Sequence, residues 1–186
     1  TRLDTEVAGL INTNTPGASP PLAPSVKGRD GGVRPALELL AKLVNDEHPR
    51  VRLEAVRALG EIQEARTAEL AMRALDKPVD RFLDYGLWLT ARDLAPQWLP
   101  NAQKATRSSD MGFEGNPRHQ VFALQSIGSP AVVRPLLTLL HEGKIPAESD
   151  ESVLGLIGSQ GGPQELALVF DLVVADDQTP ASRRAY

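Results

Sequence analysis

His48, His119 and His141 are the only imidazoles in the chain, and no two of them share a helical turn. A helical zinc site wants two ligands one turn apart, as in HExxH, whereas His141-Glu142 runs on into Gly143-Lys144. The spacing predicts no metal site. Gly155, Gly158, Gly161 and Gly162 suggest a phosphate cradle, but they match neither GxGxxG nor a loop closing in GK[ST], and no strand leads into them. A turn between two helices accounts for them. Ser159 has Ile157 two positions before it, where a nucleophile elbow needs glycine. The chain has no cysteine, which excludes disulfides, thiolate zinc, a thiol nucleophile and covalent haem attachment within it. The expectation is therefore no catalytic residue, no cofactor and no metal.

The side chains suited to recognition are arginines and aromatics. Arg50, Arg52 and Arg57 make a modest basic face diluted by Glu54 and Glu61. Arg–carboxylate pairing is geometrically favourable, so Arg52 is expected to pair with Asp46 or with Asp76 of the next unit, the three forming a structural ladder. Phe82, Tyr85, Trp88 and Trp98 hold both tryptophans of the chain, and aromatic residues anchor interfaces well. Phe82, Tyr85 and Leu89 fall on one helical stripe and are expected to face inward. Trp88 lies off that stripe. Arg50, Arg57, Trp88 and Trp98 are thus the candidate partner-binding surface.

Such side chains need elements to present them, and the sequence supplies helices. Leu37, Leu40, Ala41 and Val44 follow the i, i+3, i+4, i+7 spacing of one helix face, with Pro35 in the first turn. Val51, Ala55, Ala58, Leu59 and Ile62 stripe a second helix after Pro49. Thr67–Leu75 and Asp80–Ala95 read as a second pair, in which Leu89 answers Leu59. Pro96, Pro100 and the polar run 101–116 interrupt the register. Asn116-Pro117, Ser129-Pro130 and Thr179-Pro180 are capping side chains followed by proline, the start signal of a helix. Ile127-Gly128 and Ile157-Gly158 resemble Leu59-Gly60 as helix exits, and Leu166, Val169, Phe170 and Val173 stripe one more helix. Val33-Arg34-Pro35 returns as Val133-Arg134-Pro135, so the helix pairs repeat. No stretch alternates with period two, and the fold class is all-α: a right-handed α-solenoid of about four to five helix pairs, each burying its apolar face on its neighbour.

Composition sets the remaining bounds. A hydrophobic content of 41% over 186 residues is that of a globular domain with a real core. The net charge of -4 argues against nucleic acid, and no apolar run reaches the ~20 residues that span a bilayer. Residues 1–32, rich in Pro, Gly, Ser and Thr, read as an N-terminal arm with a possible helix remnant at Asp4–Ile11. Residues 33–186 read as the repeat domain, cut short in its last unit, and the chain as a piece of a longer protein.

The run Asp46–Ile62, DEHPRVRLEAVRALGEI, resembles a HEAT repeat: an Asp ending the first helix, Val51-Arg52 opening the second, small residues Ala55 and Ala58, and a Leu59-Gly60 exit. The resemblance implies a non-catalytic scaffold that binds a protein partner or flanking domains of its own chain. The run Asp76–Pro100 is also similar to the central helical region of large exported planctomycete-type dehydrogenases. That similarity implies an oxidoreductase parent in the periplasm or cell envelope, whose redox modules lie outside this segment and for which this segment is a spacer. Related HEAT-like arrays that bind chromophores or nucleic acid are the alternatives.

Overall fold

The computed structural model describes residues 30–175. Among them the chain forms nine α-helices joined by short turns, several of them 3-10, and no strand. These are α1 (Asp30–Leu43), α2 (Pro49–Gly60), α3 (Ala65–Met72), α4 (Arg81–Asp93), α5 (Ala95–Lys104), α6 (Pro117–Ile127), α7 (Val133–His141), α8 (Asp150–Gln160) and α9 (Pro163–Ala175). Each even-numbered helix packs on the next even one, and each odd-numbered helix on the next odd one. Two layers result, built from four stacked helix pairs with α9 continuing the odd layer. The fold is an all-α solenoid. No helix among the described residues is long and apolar enough to cross a membrane.

Local chemistry sets the helix ends. The Asp80 carboxylate accepts from the backbone N–H groups of Phe82 and Leu83 at 2.9 and 2.8 Å, and Asn116 caps α6 through the Arg118 N–H at 3.0 Å. Each cap supplies a partner to amides that the helix leaves open, a contribution of about 1 kcal/mol. Gly128 closes α6 in the left-handed region at φ 59°, where a Cβ would be strained. The core runs between the layers as Val44, Val56, Leu59, Leu83, Leu87, Leu124, Leu136, Leu139 and Ile157, all buried. Leu53 of α2 reaches over Gly86 of α4, where a Cβ would stand 2.6 Å from its side-chain terminus.

Several sequence expectations are corrected. Helix α1 begins at Asp30, so Pro35 lies inside it rather than in the first turn. On α2 the buried positions are Arg52, Ala55, Val56 and Leu59, while Val51 and Ala58 are exposed. On α4 they are Leu83, Gly86, Leu87, Thr90 and Ala91, and Phe82, Tyr85 and Leu89 turn outward. The structural counterpart of Ala55 is Gly86, 31 positions on rather than 30. One residue of helix is about 100° of rotation, enough to exchange the two faces. Residues 101–116 are not a plain loop. Helix α5 occupies their first part because Pro96 sits in its first turn, and Pro100 forfeits a single backbone hydrogen bond. Gly155 and Gly158 lie within α8, and only Gly161-Gly162 form the turn. On α9, Val169 packs against the core but Leu166 and Phe170 are exposed. The Asp4–Ile11 segment and the start at Thr179-Pro180 lie outside the described residues.

Candidate functional site

The exposed side of α4 carries a strip of large apolar side chains. Phe82, Tyr85 and Leu89 are 59%, 62% and 40% exposed, and their spacing puts them on one helix face. Half-buried Trp88 stacks on Tyr85, ring centroids 5.9 Å apart and planes 15° from parallel. Arg81 lies over the Phe82 ring at 4.6 Å and Arg92 over Trp88 at 4.9 Å, so the strip is held in place by cation–π contacts. Core burial does not explain it, because the opposite side of the same helix, Leu83 to Ala91, already fills the interior.

Arginines border this strip. Arg50 and Arg57 on α2 are exposed, as are Arg81 and Arg92 on α4 and Arg118 on α6. Arg57 meets Glu54 at 3.5 Å. None of Arg50, Arg81, Arg92 or Arg118 ion-pairs with a carboxylate among the described residues.

Arg52 behaves differently. It is buried, and its guanidinium donates to the backbone carbonyls of Asp46 at 2.9 Å, Glu47 at 3.1 Å and Pro78. The expected Arg52–carboxylate pairing is therefore replaced by a clamp on backbone oxygens. The Asp46 carboxylate instead accepts the His48 N–H at 2.8 Å, within the turn that leads into α2, and Asp76 meets His119 Nε2 at 2.8 Å. The Arg52–Pro78 bond fastens the hairpin turn of the first pair to that of the second, helped by an ion pair between Lys77 and Glu47. Residues 25–85 match the family model of HEAT repeats. The match spans the first pair and runs into α4, and the two later pairs repeat the same packing. No curated protein and no solved structure matches the chain.

Throughout the array, polar ties join each hairpin turn to the next. Asp76–His119 and an Arg73–Glu114 ion pair link the second pair to the third. Glu142 links the third to the fourth: its carboxylate accepts from the Ser108 N–H at 3.0 Å, from Ser108 Oγ at 2.6 Å, and from Lys144 at 2.9 Å. The Ser108 hydroxyl, then the Lys144 ammonium, hold the Glu142 pKa down at about 2. Ser108 is wholly buried and also receives a bond from Lys144, so its hydroxyl serves the tie. Gln120 reinforces the same turn through the carbonyls of Ser108 and Gly112, at 2.7 and 2.9 Å. Sequence offers no local signal for these contacts, since the partners stand more than 30 residues apart or in separate elements.

Trp98 leaves the candidate surface. It is 2% exposed, donates Nε1–H to the Ala91 carbonyl at 2.8 Å, and meets Phe113 edge-on at 5.2 Å. Its burial follows from α5 being a helix that packs the ring beneath α4. The three histidines do not converge, and no group of metal-ligating residues assembles among the described residues. Ser159 donates to the Leu156 carbonyl at 3.0 Å within its own helix. A cavity of about 550 Å³ opens between α7 and α9, lined by Arg134, Leu137, His141, Leu168 and Asp171. At the other end a groove of about 500 Å³ lies over Leu40, Leu43, Val51 and Ala55.

Proposed function

We propose that this HEAT array is a non-catalytic docking module whose contact surface is the outward face of α4 with its flanking arginines. The observation that carries this reading is the contiguous exposure of Phe82, Tyr85 and Leu89 beside Trp88, on a helix whose other side already fills the core. Large aromatic side chains with few rotatable bonds bury much area at little entropic cost, the property of binding hot spots. Helix α4 is packed on α2 and α6 beneath them, which favours a preorganised surface. Arg50, Arg57 and Trp88 belong to it. The partner is a second protein or a flanking domain of a longer chain. A spacer role within an exported oxidoreductase, which the resemblance of Asp76–Pro100 implies, would use the same face against the neighbouring modules.

Site-specific photo-crosslinking tests the reading. A photoreactive phenylalanine at position 82 or 85, in the native host, is expected to yield a discrete protein adduct. The same label at Arg66, exposed on α3 in the other layer, is expected to yield none. Equal labelling from both layers, or no adduct from α4, refutes the assignment.

A further inference from the structure

Arg50, Arg81 and Arg118 each stand in the first turn of a second helix, α2, α4 and α6 respectively. All three are exposed and without an ion-pair partner among the described residues. The positive end of the helix macrodipole disfavours a cation in that turn, so helix stability does not account for them, although Arg81 also lies over the Phe82 ring. The second helices run parallel, each being the return arm of a hairpin. Their first turns therefore share one edge of the layer, at the interhelical spacing of about 10 Å. The aromatic strip of Phe82, Tyr85, Trp88 and Leu89 lies on the middle helix, beside this edge.

We propose that the docking surface takes an acidic, amphipathic polypeptide segment, its carboxylates along Arg50, Arg81 and Arg118 and its apolar side chains on Phe82, Tyr85 and Leu89. This rests on the docking reading above and names the partner's chemistry. An α-helical segment with carboxylates two turns apart repeats every ~10 Å, matching the arginine interval. Charge complementarity favours a protein over a polynucleotide. Asp84 and Glu54 are exposed on the same helices as these arginines and oppose a continuous phosphate backbone, whereas a peptide can place apolar or basic residues opposite them. Three arginines without carboxylate partners among the described residues, beside aromatic side chains, call for separated negative charges with apolar groups between.

Random peptides displayed on phage and selected against the full chain test this, the enriched peptides then being titrated by fluorescence anisotropy at low and high salt. Enriched peptides are expected to be net acidic with apolar residues interspersed. Each exposed ion pair is worth about two- to five-fold in affinity, so the triple variant R50E/R81E/R118E weakens binding on the order of tenfold or more. Circular dichroism checks its helix content, and R50Q/R81Q/R118Q replaces it if the reversals unfold the chain. Peptides of neutral or basic character that still require Phe82 and Tyr85 overturn this inference and leave the docking reading intact. Peptides indifferent to F82S/Y85S overturn both. Duplex DNA bound more tightly than any peptide, and released by the same charge reversal, also overturns it.

Discussion

Arg52 offers the sharpest test of how the array is held together. Its guanidinium is 2% exposed and serves three carbonyls, two in its own hairpin turn and one, Pro78, in the next. Hydrogen bonds from a charged donor are worth about 1.5–3 kcal/mol each, and an orphaned buried acceptor costs a further share. The turn carbonyls of Asp46 and Glu47 recover some hydration when the side chain is removed, and the arginine no longer has to be desolvated. Those offsets bring the expected cost of Arg52→Ala to about 3–4 kcal/mol. In a domain of this size that lowers Tm by roughly 6–15 °C. Arg52→Lys keeps the charge but cannot fork to three oxygens, and is expected to lose about 2 kcal/mol. Urea unfolding followed by tryptophan fluorescence gives both values. The discriminating measurement is a double-mutant cycle with Asp46→Asn. Because the Asp46 carboxylate accepts the His48 N–H and does not meet the guanidinium, the coupling is expected below about 0.5 kcal/mol. A coupling above about 1.5 kcal/mol would restore a salt bridge and refute the carbonyl clamp.

The two tryptophans should separate cleanly. Trp98→Phe loses the bond to the Ala91 carbonyl and part of a buried ring, costing about 2 kcal/mol in urea unfolding, whereas half-buried Trp88→Phe stays within about 0.5 kcal/mol. Equal losses would contradict the burial of Trp98. Phe82→Ser with Tyr85→Ser removes exposed rings only, so stability is expected to change by less than about 1 kcal/mol while aggregation falls; a large drop in Tm would show that the strip is core. Glu142 has a folded pKa lowered from 4.5 to about 2. Its contribution is therefore present above pH 4.5 and is lost as pH falls toward 2. Thermal unfolding of Glu142→Gln and the unchanged protein should accordingly differ at neutral pH and converge across that window; a constant difference would mean that the carboxylate's charge is not what ties Ser108 to it.

The fold was legible because stacking helix pairs needs only apolar periodicity and end signals. Leu37, Leu40, Ala41 and Val44 face the core as their spacing predicts, and the starts at Pro49 and Pro117 are helix starts. Helix α5 carries a stripe of its own in spite of its two prolines. Leu94, Trp98 and Ala102 recur every four residues, and all three are buried. The site was harder for a physical reason. Helix α4 carries two apolar stripes, Leu83-Leu87-Ala91 and Phe82-Tyr85-Leu89, and nothing in its own sequence ranks them. What ranks them is Gly86, whose missing side chain lets Leu53 of α2 approach, and Thr90, which packs where Gly60 leaves room. Those partners sit in the preceding repeat. The buried Arg52 hides its stripe in the same way, since a charged residue inside is affordable only when distant carbonyls surround it. A repeat architecture tolerates such ambiguity in its count of helices but not in its surface. Taking the spacing as 30 rather than 31 leaves every helix in place and turns α4 by about 100°. That single residue carries Phe82, Tyr85 and Leu89 from the core to the surface that a partner would meet.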